Sequence, residues 1–222
     1  MSVIKKKTYS VFPVLFIISI LLNIVFFSKQ FFHKEETNEF FVHEVVDGDT
    51  IIAGVKKERM RLTNVEAPEL QYCGGIEAKE KLKELIEGQN VKLVFVGEDY
   101  YNRSIVLVYL NNISINKELV KKGLVRYDGT SSPERDNMRE AYQQAVREKL
   151  GIFGPPCRSE SPDHSECIIK GNVNKNPIEK VYLFPVCSKY ELTVVEKDLG
   201  EQWFCTEKEA QDAGFTKAAN CK

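Results

Sequence analysis

Acidic and guanidinium side chains crowd three short stretches of this chain. Asp47-Gly48-Asp49-Thr50 sets two carboxylates around one glycine, Arg61 is followed by Glu66-Ala67-Pro68-Glu69, and Asp99-Tyr100-Tyr101-Asn102-Arg103 joins an acid to an arginine across two tyrosines. Two or more carboxylates with a backbone carbonyl suit a hard divalent cation. Guanidinium forks suit the oxygens of a phosphodiester, and a further carboxylate can orient or deprotonate an attacking water. The three stretches together therefore hold the parts that phosphodiester hydrolysis needs. Taken singly, each has a plainer reading. Asp-Gly is a common hairpin turn, Arg61 a strand residue with a solvated head, Glu69 a loop carboxylate, and Arg103 with Asp99 a surface ion pair.

The surrounding elements must bring these stretches together. Residues 40–46 read as a strand running into Asp47-Gly48, a hairpin signal, and residues 50–53 return from it. Residues 59–65 form a further strand, stopped by Pro68. Ile76, Leu82, Leu85 and Ile86 recur at helical spacing before Gly88, a C′ glycine. Residues 91–96 and 105–110 are two more strands, and Ile115, Leu119 and Val120 mark a short helix ending near Gly123. A longer helix starts with Ser132 as N-cap and Pro133 in its first turn, and Gly151 lies past its end. Its apolar stripe is Met138, Ala141, Tyr142, Ala145, Val146 and Leu150. Five short strands with a helix after the third predict a fold that is mainly β with helices, a five-stranded OB-type β-barrel capped by helices over residues 39–154. Residues 155–166 read as a linker, and residues 167–222 as a small cysteine-stapled module.

Ahead of the barrel, Lys5, Lys6 and Lys7 precede an apolar run over residues 11–27, and Lys29 and Lys34 follow it. The run is about long enough to cross a bilayer. It predicts a basic cytoplasmic N-terminus at 1–9, a transmembrane signal anchor at 10–28 and a connector at 29–38, with the long remainder extracytoplasmic. The alternative is a cleaved signal peptide, which gives a secreted protein. Asn23, Phe26, Phe27, Phe31 and Phe32 offer no small-x-small cleavage site. The net charge of −1 gives no general attraction to polyanions. Nucleic-acid binding must then come from locally placed arginine, lysine or metal. The six cysteines suit an oxidising compartment. Cys73, in the loop after Glu69, and Cys157, just past the terminal helix, are expected to form a disulfide. Cys167, Cys187, Cys205 and Cys221 either staple the tail as disulfides or hold a zinc ion. His43, within a strand, and His164, in the linker, read as structural.

The segments VVDGDT at 45–50, RLTNVEAPE at 61–69, GIEAKEKL at 75–82, DYYNR at 99–103 and NKELVKKGLVRY at 116–127 together resemble the staphylococcal nuclease, or thermonuclease, family. The resemblance covers about residues 40–153. It implies an OB barrel and calcium-dependent hydrolysis of DNA and RNA that leaves 3′-phosphate ends. It also implies roles for single residues. Asp49, Glu66 and the backbone carbonyl of Ala67 would hold the metal, with Asp47 supporting them. Glu69 would activate water, and Arg61 and Arg103 would hold the phosphate and stabilise charge in the transition state. Tyr100 and Tyr101 are weaker candidates for stacking on a base, with barrel packing as the alternative.

The pattern departs from the family at four places. Glu66 stands where an aspartate ligand is usual, and its extra methylene can change the coordination number or favour another divalent metal over calcium. Tyr100 replaces a common lysine, Gly129 a frequent tyrosine, and Asn102 the glycine before the arginine. The tail around IIKGNV, VYLFPVC and GEQWFC resembles a small cysteine-containing module found behind nuclease domains in secreted bacterial proteins. The expected function is a metal-dependent nuclease acting on extracellular DNA or RNA, anchored to the membrane. The alternative is a non-catalytic OB-fold module, similarly anchored, that binds nucleic acid or a surface partner. The oligomeric state stays open.

Overall fold

Seven strand residues, Glu39–Val45, begin the part of the chain that a computed structural model describes, namely residues 39–175, 178–219 and 221. The expected basic N-terminus, anchor and connector lie outside those residues. Among the described residues, no helix is long and apolar enough to cross a membrane.

The barrel is built from β1 (Glu39–Val45), β2 (Thr50–Ala53), β3 (Glu58–Leu62), β4 (Asn90–Glu98) and β5 (Ser104–Leu110). The order β3-β2-β1-β4-β5 is closed by a parallel pairing of β3 with β5, Met60 opposite Ser104 and Leu62 opposite Val106. A two-residue strand β6 (Ile113–Ser114) extends β5. The expected five-stranded, OB-type barrel is therefore the fold. Alternation does its usual work at the start of β4, where Val91 and Leu93 are buried and Asn90 and Lys92 exposed. The middle of β5 is instead buried at three successive positions, Val106–Leu107–Val108. One face of that strand fills the barrel and the other is covered by helices.

Helix α1 (Gly75–Ile86) turns Ala78, Leu82 and Ile86 inward at spacings of four. Helix α2 (Ile115–Lys121) is capped by Ser114, whose hydroxyl accepts from the Lys117 amide. Asn116 of α2 is fully buried. Its amide donates to the carbonyls of Thr63 and Val106, and its carbonyl accepts from the Val108 amide. That side chain stitches the end of β3 to β5. Helix α3 (Arg135–Arg147) begins later than Ser132 predicts. The Ser132 hydroxyl is drawn instead to the Asn64 side chain and also accepts from the Glu134 amide, so it closes a turn ahead of the helix.

The stretch expected to be a linker takes part in the structure. Its residues form β7 (Arg158–Ser159), paired antiparallel with β10 (Val195–Glu196). The C-terminal sheet has the order β11-β8-β9-β12, from β8 (Ile169–Lys175), β9 (Ile178–Leu183), β11 (Gln202–Phe204) and β12 (Thr216–Lys217). Its core is small, with Ile169, Tyr182, Phe204, Ala210 and Phe215. Two disulfides staple it, Cys167–Cys205 and Cys187–Cys221, so the zinc alternative for these cysteines falls away. The short helix α4 (Glu207–Asp212) is capped by Thr206, with Glu209 reaching back to the residue before the cap. The Thr206 hydroxyl accepts from the Glu209 amide, and the Glu209 carboxylate accepts from the Cys205 amide. From Glu39 onward the described residues form one compact unit.

Candidate active site

Asp49 sits in the tight connection between β1 and β2, almost fully buried. The backbone there is shaped by its neighbours. The Asp47 carboxylate accepts from the Asp49 amide, and the Val46 amide donates to the Thr50 carbonyl. Gly48 does not adopt a left-handed conformation. Its role is space: a Cβ there would lie 2.6 Å from the Ala67 methyl and 2.7 Å from that of Ala78. The connection therefore nests directly against the Glu66–Glu69 loop and α1.

Both oxygens of Asp49 are engaged. Oδ1 accepts from Arg61 Nη1 at 2.8 Å and from the Thr50 hydroxyl at 3.0 Å, and Oδ2 accepts from the Ala67 amide at 2.9 Å. Burial pushes the Asp49 carboxyl up to about 6, with Asp47 adding to the rise and Arg61 and the hydrogen bonds opposing it. Arg61 is placed by β3, paired with Thr50 of β2 on one side and Ile105 of β5 on the other.

Arg103 stands at the end of the loop between β4 and β5. Asp99 organises that loop: one oxygen accepts from the amides of Tyr101 and Arg103, and the other from Arg103 Nε at 2.6 Å. Asn102 has φ 58°, in the left-handed region that glycine enters freely and asparagine tolerates. The replacement of glycine at that point thus leaves the loop intact. Tyr100 and Tyr101 are well exposed, with ring centroids 5.5 Å apart in a T-shaped pair. Barrel packing is therefore not their role.

Two clefts result. Arg61, Asp99, Tyr100, Tyr101, Arg103 and Asp128 line one of about 300 Å³. Glu66, Ala67, Glu69 and Tyr72 line another of about 440 Å³. Asp49 belongs to both neighbourhoods through its bonds to Arg61 and to the Ala67 amide. The arginines are brought together in one cleft and the loop acids in the other. Among the described residues, no three His, Cys, Asp or Glu side chains close around a single point. Cys73 and Cys157 form a disulfide across a sequence separation of 84, just beyond the acidic loop. His43 donates through Nε2 to the Gly54 carbonyl oxygen at 3.0 Å, just past the end of β2.

The comparisons with known proteins bear on this arrangement. A profile of the family described as staphylococcal nuclease homologue matches residues 59–154. A micrococcal nuclease of Shigella flexneri is 30% identical over 133 residues, covering 54% of this chain and 75% of the relative. The chain belongs to the staphylococcal nuclease family.

Other relatives align over less of their length. An uncharacterized endonuclease of Haemophilus influenzae is 36% identical over 94 residues, 41% of this chain and 53% of the relative. A probable staphylococcal-like nuclease of Oryza sativa subsp. japonica is 29% identical over 106 residues, 48% of this chain and 31% of the relative. The chain thus spans about half of the first and a third of the second. The profile match includes Arg61, Glu66, Ala67, Glu69 and Arg103 and begins after Asp49. Sequence reasoning passed over Arg126, whose backbone pairs with that of Glu66. It lies inside the NKELVKKGLVRY segment, but nothing local to that segment marks it as a partner of the acidic loop.

Proposed function

We infer that the protein is a metal-dependent nuclease that hydrolyses the phosphodiester bonds of DNA or RNA. The observation that carries the reading is Asp49, a buried carboxylate joined at once to Arg61 of one cleft and to the Ala67 amide beside Glu66 and Glu69. Membership of a family whose named relatives are nucleases supports it.

The donor chemistry fits a divalent cation. Asp49, Glu66 and the Ala67 carbonyl offer only oxygens, as calcium and magnesium prefer. These three would hold the ion, with Asp47 fixing the Asp49 backbone. When bound, the ion supplies positive charge to a phosphate oxygen. Calcium is the proposed metal, and the longer Glu66 side chain keeps other divalent ions in contention.

The remaining steps belong to the protein's own side chains. Arg61 and Arg103, lining one cleft, would fork onto the non-bridging oxygens and stabilise the charge that builds on them during attack. Glu69 would accept a hydrogen bond from the attacking water and take its proton as the oxygen–phosphorus bond forms. Cleavage then leaves the phosphate on the 3′ end, with the 5′ oxygen departing as the leaving group. Tyr100 and Tyr101, exposed beside Arg103, offer rings on which a base can stack.

The apolar run over residues 11–27, with lysines on both sides, supports a membrane-anchored enzyme facing outward, and the three disulfides fit an oxidising compartment. The test is incubation of the purified protein with single-stranded DNA, with calcium and then with chelator. Calcium-dependent release of oligonucleotides ending in 3′-phosphate is expected. A folded protein that binds DNA but fails to cleave it, whichever divalent metal is supplied, would instead favour the binding-module reading.

A further inference from the structure

Arg126 connects the segment that follows β10 to the acidic loop. Its backbone is paired with Glu66, amide to carbonyl in both directions at 2.9 Å. Its guanidinium is gripped by the segment between β10 and β11. Nε donates to Asp198 Oδ2 at 2.6 Å, Nη2 donates to Oδ1 at 3.0 Å, and Nη2 also lies 3.2 Å from Glu196 Oε2. Asp198 is only 2% exposed. A two-pronged pair of this kind, taken out of water, holds a single geometry far more firmly than a surface ion pair does.

The same segment touches the far end of the loop. A Cβ on Gly200 would fall 2.5 Å from the Tyr72 ring, so Tyr72 packs directly on that backbone, where Gly200 holds φ +80°. The Lys197 amide donates to the Cys157 carbonyl at 2.8 Å, and Cys157 is bonded to Cys73, the residue after Tyr72. The loop from Glu66 to Cys73 is thus held at both ends by residues 197–200 and their neighbours. Glu66 and Glu69 share their cleft with Asp198 and Leu199.

We propose that Asp198, acting through Arg126, is a positioning residue of the nuclease site. It fixes the backbone at Glu66 and with it the aim of Glu66 and Glu69. The proposal rests on the nuclease reading. Charge adds a second effect in the same direction. Arg126 lies on a cleft lined by Glu66 and Glu69, and a guanidinium released there would compete with a cation for those carboxylates. Asp198 and Glu196 keep it engaged elsewhere. The turn at residues 197–199 is therefore a working part of the site, and its buried aspartate steadies the backbone of a metal ligand through Arg126.

The experiment uses the full chain with Asp198→Asn, Glu196→Gln and, as a control, Asp212→Asn, which breaks an exposed ion pair of α4 with Lys208. Steady-state cleavage of single-stranded DNA and calcium titration by calorimetry are both measured. For Asp198→Asn, kcat is expected to fall about tenfold or more and calcium affinity to weaken similarly, with KM within about twofold. Glu196→Gln loses less in the same direction and decides the matter if Asp198→Asn does not fold. The control keeps wild-type values. Unchanged kcat and unchanged calcium affinity in the folded variant overturn the proposal, as does a rise in KM alone. Failure of the wild-type protein to cleave overturns the nuclease reading instead, and the calcium comparison still decides the positioning.

Discussion

Arg61 and Asp49 hold each other across the β2–β3 pairing, with Nη1 2.8 Å from Oδ1. The arginine proposed to hold phosphate and the carboxylate proposed to hold the cation share one contact. Asp49→Ala therefore does two opposing things. It removes a metal ligand, so hydrolysis should fall on the order of 100-fold or more. It also frees Arg61, so single-stranded DNA should bind in chelator at least as tightly as to the wild type. Fluorescence anisotropy checks this, and weaker binding by the folded variant would contradict it.

Gly48 carries a second prediction. A methyl at this position would press on both Ala67 and Ala78 at under 3 Å. Gly48→Ala should cost about 1–3 kcal/mol of stability through overpacking. It should lower activity further than the stability loss accounts for, because Asp49 moves with its neighbour. Denaturant unfolding beside initial rates measures both. A variant of wild-type stability and rate would show that the connection has slack.

Much of this was legible in the sequence, and the two residues just named show where legibility stops. The Asp-Gly pair marked the turn correctly, since β1 and β2 do flank it. The reason for glycine was not the backbone twist of a hairpin but the approach of a helix and a loop distant in sequence. Likewise Ser132 was a sound cap by type, and tertiary contact with Asn64 drew it out of that role. The barrel strands could be read because each is a short run of β-formers between turns. The closing pair, β3 with β5, leaves no periodic trace. Arg126 is the clearest omission. An arginine in a segment rich in lysine looks like a solvated charge until Asp198, 72 residues on, is seen against it.

A third prediction concerns pH. Burial pushes the Glu201 carboxyl up to about 7 from an ordinary 4.5, with Glu196 and Asp198 adding to the rise and the amides of Val173 and Glu196 opposing it. Arg126 is tied up by those same two acids. The folded state thus holds a proton that the unfolded chain has given up. The stability this contributes is fully present below about 4.5 and is lost as pH rises through about 7. Glu201→Gln should flatten that fall. Melting temperatures of both proteins between about pH 4.5 and pH 8 test it. Parallel curves for the two would show that Glu201 does not titrate in this range.

The most direct measurement of the central claim is the rate of single-stranded DNA cleavage by the wild type, Glu69→Gln and Arg103→Ala, each with calcium, with magnesium and with chelator. The account predicts metal-dependent cleavage by the wild type and losses of roughly 100-fold or more in each variant, with their folds intact. Cleavage that survives both substitutions would place the chemistry elsewhere in the molecule, and a folded wild type inert with every metal would contradict the nuclease reading altogether.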